Sequence, residues 1–119
     1  MEYLFAYGTL RQGHAGGAVA EKVGSLKRIG KGRVSGRLYD LGDFPGAVLD
    51  AAAPSQIVGE VYEVTDRSIW ETLNSYEGFD PADPAGSLFV LQKCRPDLED
   101  GRSLECWIYV FNQDPGATD

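Results

Sequence analysis

The chain opens on an apolar run, residues 2–6 (EYLFA), that reads as a strand. A loop through Gly8 and Gly13 follows at once. Residues 17–23 (GAVAEKV) have the composition of one or two helical turns. Across 25–40, apolar positions such as Val34 and Leu38 alternate with glycines. That pattern predicts one or two twisted strands, with the glycines marking bends or bulges. Asp43-Phe44-Pro45-Gly46 reads as a turn, because proline presets φ and glycine accepts a positive one. Residues 57–64 (IVGEVYEV) are β-branched and aromatic, and predict another strand.

One stretch changes period. Ile69, Trp70, Leu73 and Tyr76 recur at helical spacing, which predicts a helix from about 66 to 76 with these four on its apolar face. Thr65 or Asp66 can cap its start, and Gly78 is placed to end it. The loop 78–86 (GFDPADPAG) is rich in turn formers. Two strands follow, 87–95 and 103–111, joined through 96–102 with Asp100-Gly101 at the turn. In the second, Leu104, Cys106, Ile108 and Val110 share one face, and Trp107, Tyr109 and Phe111 the other. A strand apolar on both faces is central or lines a barrel. The pattern as a whole predicts a small α+β domain with a curved or closed sheet.

Composition narrows this picture. The 119 residues fit one domain, expected over 1–112, with a loose polar tail over 113–119. A net charge of −7 argues against a nucleic-acid partner. No apolar run is long enough to span a bilayer as a helix, so no membrane partner is expected. Met1-Glu2-Tyr3 lacks a basic, signal-like start, and a cytoplasmic location is expected. Cys94 and Cys106 are too few for a disulfide framework. They fall opposite each other if the hairpin centres on Asp100, and free thiols are expected because a cross-strand bond there is strained.

Common catalytic motifs are absent: there is no GxxxxGK[ST] and no GxSxG, and GKGRVSG at 30–36 misses the dinucleotide spacing. Asp80 and Asp83 lack calcium-loop spacing and read as turn formers. His14 can be set beside Thr9 as base to nucleophile, but no orienting acid accompanies them, and His14 reads as a loop histidine. Two features remain. In Tyr7-Gly8-Thr9-Leu10, just after the first strand, a bare glycine lets backbone N–H groups approach a ligand. In Tyr76-Glu77-Gly78-Phe79, a carboxylate meets the negative end of the helix dipole between aromatics. If buried, Glu77 has a raised pKa and suits acid–base work. On position alone a solvated residue of the last turn is the stronger reading, and Tyr7-Gly8-Thr9-Leu10 by itself reads equally as a tight strand-to-loop turn.

FAYGTLRQG at 5–13, GRLYDLGDFPGAV at 36–48, VGEVYEV at 58–64, LNSYEGFDP at 73–81 and CWIYVFN at 106–112 occur in this order. The chain thereby resembles the γ-glutamylcyclotransferase-like family, in particular its γ-glutamylamine cyclotransferase and AIG2-like branch. The resemblance covers nearly the whole chain. It implies a small mixed β-barrel with short helices and a cavity at one end. It implies cyclisation of a γ-glutamyl group of a small-molecule substrate to 5-oxoproline, with release of an amine and no metal or cofactor. Glu77 is then the catalytic acid–base. Gly8, Thr9 and Leu10 bind the substrate through their amides, and Tyr7 and Tyr109 supply cavity hydroxyls. Relatives typically carry a tyrosine and, two places on, an arginine where this chain has Phe89 and Leu91. That departure supports a competing reading, a non-catalytic small-molecule-binding or regulatory module of the same fold. A protein-interaction domain using Trp70 or Trp107 ranks below both. The sequence carries no signal for oligomeric state.

Overall fold

A computed structural model describes residues 2–7, 23–40 and 45–112. Its strands are β1 (Glu2–Ala6), β2 (Lys27–Asp40), β3 (Pro45–Leu49), β4 (Gln56–Val64), β5 (Phe89–Cys94), β6 (Asp97–Leu98) and β7 (Cys106–Phe111). The helix α1 (Ile69–Glu77) lies between β4 and β5, followed by a 3₁₀ turn at Pro84–Gly86. The strands form one mixed sheet in the order β3-β2-β4-β1-β7-β5. β1 and β7 run parallel, and the other pairings are antiparallel. After β5 the chain crosses back so that β6 pairs with β2, and the sheet curls into a half-barrel.

One long strand, β2, occupies the stretch in which one or two were expected, and its register slips between Arg28 and Gly30. The bulge bends the strand where the glycine-rich pattern predicts it. Two elements differ from the sequence reading. Pro45 and Gly46 open β3 and pair with Asp40 and Tyr39, so the DFPG turn does not extend through them. The connection 96–102 is more than a hairpin turn, since Asp97 and Leu98 pair with Arg33 and Gly32. Gly101 nevertheless takes a positive φ of 90°, as the Asp-Gly turn requires. The helical turns expected over 17–23 lie outside the described residues except for Val23, which is buried. The tail 113–119 also lies outside them.

The central strands β1 and β7 are buried on both faces, as the two-sided pattern of β7 predicts, while β2 and β5 leave residues exposed. On one face, Phe5, Tyr7, Val34, Ile57, Val61, Cys106 and Ile108 pack together. On the other face, α1 lays Ile69, Trp70 and Leu73 on Leu4, Tyr62, Tyr109 and Phe111. Gly59 permits a close approach of β1 to β4: a Cβ there would meet the Ala6 carbonyl oxygen and the Phe5 ring. Cys94 and Cys106 are direct cross-strand partners, and both are free thiols. Burial pushes each of them up to about 12. Among the described residues no helix is long and apolar enough to cross a membrane.

Candidate active site

The helix begins and ends on local chemistry. The Asp66 carboxylate accepts the Ser68 N–H at 2.9 Å and organises the turn that feeds α1. The helix proper starts later than expected, at Ile69. Its first turn is tied to β1 through Glu2, which accepts the Trp70 indole N–H at 3.1 Å and pairs with Arg67. At the other end, Gly78 takes left-handed angles, φ 70° and ψ 36°. Its N–H donates to the Ser75 carbonyl, and the Phe79 N–H donates to the Asn74 carbonyl at 2.9 Å. These two bonds make a Schellman motif with Glu77 as the last helical residue. The Gly78 carbonyl then accepts the Leu88 N–H at 3.1 Å, which closes the loop back onto β5. Only glycine takes such angles without penalty, so Gly78→Ala is expected to destabilise the protein by about 1–2 kcal/mol. The measurement is a urea midpoint that falls at unchanged m-value.

The phase of α1 decides which residues face the sheet. Tyr76, expected on the apolar face, is 44% exposed. The inward row runs Ile69, Trp70, Leu73 and then Glu77, because Glu77 lies four residues beyond Leu73. Asn74, four beyond Trp70, joins the same side and meets Tyr109. The last turn of a helix whose first two turns are anchored in a hydrophobic core therefore presents two polar side chains inward.

Four elements are stitched together there. The Ala47 N–H of β3 donates to the Tyr7 hydroxyl oxygen at 3.2 Å. The Tyr7 hydroxyl donates to the Tyr109 carbonyl of β7 at 2.5 Å. The Tyr109 hydroxyl donates to Asn74 Oδ1 of α1 at 2.6 Å. Tyr7 is 7% exposed and Tyr109 1%. Burial, joined by the Glu77 charge, pushes both phenols well above the ordinary tyrosine range, so both are neutral.

Glu77 is half-buried, and desolvation of its carboxyl raises its pKa from the usual 4.5 to about 7. Among the described residues no donor hydrogen-bonds that carboxyl, and no cation offsets its charge. A carboxyl that holds its proton near neutrality is suited to both accept and return one.

The structure brings together Tyr7, Tyr109 and Glu77 of the residues singled out from the sequence. Gly8, Thr9 and Leu10 lie outside the described residues, as does His14; the chain enters that segment directly from Tyr7. Asn74 was missed, although its place four residues after Trp70 and three before Glu77 marks it. Phe89 stacks edge-on to Phe111, ring centroids 5.7 Å apart, and is buried in the core. Leu91 is paired across the ladder with Tyr109. Asp80 and Asp83 serve their own loop, accepting the N–H groups of Ala82 at 2.9 Å and Gly86 at 3.2 Å.

A family model described as gamma-glutamyl cyclotransferase, AIG2-like matches residues 4–119. The chain is 34% identical over 116 residues to the γ-L-glutamyl-butirosin B γ-glutamyl cyclotransferase of Niallia circulans, covering 96% of this chain and 69% of the relative. Solved structures share the fold. YkqA from Bacillus subtilis superposes with a TM-score of 0.70 at 24% identity, over 93% of this chain and 36% of that one. A structure titled gamma-glutamyl cyclotransferase superposes with a TM-score of 0.62 at 14% identity, over 92% of this chain and 66% of that one.

Proposed function

This chain belongs to the γ-glutamyl cyclotransferase, AIG2-like family, and from that premise we propose that it cyclises a γ-glutamyl group to 5-oxoproline, with Glu77 as general acid–base. The observation that carries the reading is the Glu77 carboxyl itself: inward-facing, desolvated and titrating near neutrality beside two neutral tyrosines.

The chemistry follows from those properties. The α-amine of the γ-glutamyl group attacks its own γ-carbonyl carbon. A C–N bond forms and closes a five-membered ring. Ionised Glu77 takes the proton that the attacking nitrogen sheds, and gives it to the departing amine as the original C–N bond breaks. The products are 5-oxoproline and a free amine. No redox step occurs and one carboxyl handles the proton, so the scheme calls for no metal or cofactor. A positioned acid–base of this kind contributes about 10²–10⁴-fold. Holding the γ-glutamyl chain folded for attack adds to this by fixing the near-attack conformer of a ring closure that is already intramolecular. In this proposal the amides of Gly8, Thr9 and Leu10 hold the substrate carboxylate. Tyr7 and Tyr109 wall the site, with hydroxyls that stay neutral.

The test is 5-oxoproline release from γ-glutamyl amines, γ-glutamyl dipeptides and a γ-glutamyl group on a large amine. The Niallia circulans relative, named for γ-L-glutamyl-butirosin B, motivates the last of these. Product from at least one class is expected. Absence of product across all three contradicts the proposal and leaves the binding-module reading.

A further inference from the structure

Two buried phenols feel the Glu77 charge, yet neither donates its proton to that carboxyl. The Tyr7 hydroxyl donates to the Tyr109 carbonyl, and the Tyr109 hydroxyl donates to Asn74 Oδ1. Asn74 and Glu77 lie three residues apart on α1, so they present neighbouring side chains to the same β7 tyrosine. We propose that Asn74 is a positioning residue for Glu77: by accepting the Tyr109 proton it keeps that proton away from the Glu77 carboxylate.

The physical reason is a competition between acceptors. A carboxylate in a desolvated site outcompetes a neutral amide oxygen for a hydroxyl proton when both are in reach, because the charge-assisted bond is roughly twice as strong. A phenol that donates to Glu77 stabilises its ionised form and lowers its pKa. The carboxyl then becomes a weaker base toward the attacking amine. Asn74 prevents this by holding Tyr109 at 2.6 Å. Tyr7 is held in the same sense by the Tyr109 carbonyl, a backbone group that no substitution removes. Asn74 is therefore the side chain on which the arrangement turns. Among the described residues, Tyr7, just after β1, and Tyr109 of β7 are the titratable groups that feel the Glu77 charge. β3 and β5 bring Ala47 and Leu91 to this region, neither of them titratable. The Asp80 and Asp83 carboxylates of the following loop are bonded within that loop.

The inference rests on Glu77 as proton carrier, but its test reads no turnover. Glu77 is labelled at its side-chain carboxyl in the full chain and titrated by NMR from about pH 3 to about pH 9, either side of the ordinary carboxylate range. Asn74→Leu removes the acceptor and frees the Tyr109 proton; the Glu77 midpoint is expected to fall by roughly one pH unit. Asn74→Asp keeps an acceptor and adds a like charge, so the midpoint is expected to rise. In Asn74→Leu/Tyr109→Phe there is no proton to redirect, and the midpoint returns toward the wild-type value. A merely structural asparagine gives no such opposite signs. Should Asn74→Leu fail to fold, Tyr109→Phe alone decides. The inference expects no rise in the Glu77 midpoint there, because the phenol was not bonded to it. A rise in Tyr109→Phe, or an unmoved or raised midpoint in a folded Asn74→Leu, overturns it. These outcomes stand whether or not 5-oxoproline is released, so failure of the positioning role and failure of the reaction are separate results.

Discussion

Glu77→Gln is expected to lower 5-oxoproline release by about 10²–10⁴-fold, chiefly in kcat. Glutamine keeps the shape of the side chain and a carbonyl oxygen, so substrate binding is expected to change little. What it loses is the ability to take a proton from one nitrogen and return it to another. The inward row of α1 holds Glu77 through Ile69, Trp70 and Leu73, and the Schellman motif at Gly78 fixes its last turn. Neither support involves the carboxyl, so the backbone that carries residue 77 survives the exchange. Initial rates for wild type and variant on one turned-over substrate check this. A variant that retains wild-type kcat removes Glu77 from the mechanism.

The same substitution is expected to stabilise the protein, and only at the higher end of the pH range. The folded Glu77 pKa of about 7 lies above the usual 4.5. Between those two values the native state binds more protons than the unfolded chain, so wild-type stability falls as pH rises through that window. Below it, both states carry a neutral carboxyl and nothing is lost. Above it, the folded protein holds a desolvated charge at a constant cost. At about 1.36 kcal/mol per pKa unit, discounted for the partly open carboxyl, that cost is on the order of 2 kcal/mol. A glutamine in place of Glu77 carries no charge at any pH and avoids it. Urea unfolding of both proteins at about pH 4.5, the usual carboxylate value, and again above the folded one, is expected to show near-equal stability at the first and a more stable variant at the second. Equal stability at both contradicts the burial of a titrating carboxyl. Such opposition between stability and activity is what a strained functional group produces.

Much of this architecture is visible in local pattern. The strands β1, β2, β4 and β7 follow their apolar periods, and the two-sided pattern of β7 anticipates its burial on both faces. Gly78 marks the helix end because its left-handed angles are a local requirement. β3 and β6 were hidden for a common reason. Their strand character comes from pairing with β2, while locally they are a Pro-Gly step and a two-residue Asp-Leu segment. The site shows the same division. Glu77 stands out because an acid at a helix C-terminus is locally unfavourable. Whether it or Tyr76 faces the sheet depends on a helix phase of a single residue, and the apolar pattern favours Tyr76, which the fold turns outward. Asn74 is an ordinary helical residue until Tyr109 arrives from β7, 35 positions along the chain, to meet it.

The role of Glu77 is tested most directly by the pH dependence of kcat/KM for 5-oxoproline release by the wild-type protein. An acid limb with its inflection near 7 is expected, where the desolvated Glu77 carboxyl ionises and becomes able to accept the attacking amine's proton. A limb at the ordinary carboxylate value of about 4.3, or a rate with no acid limb, would contradict that role.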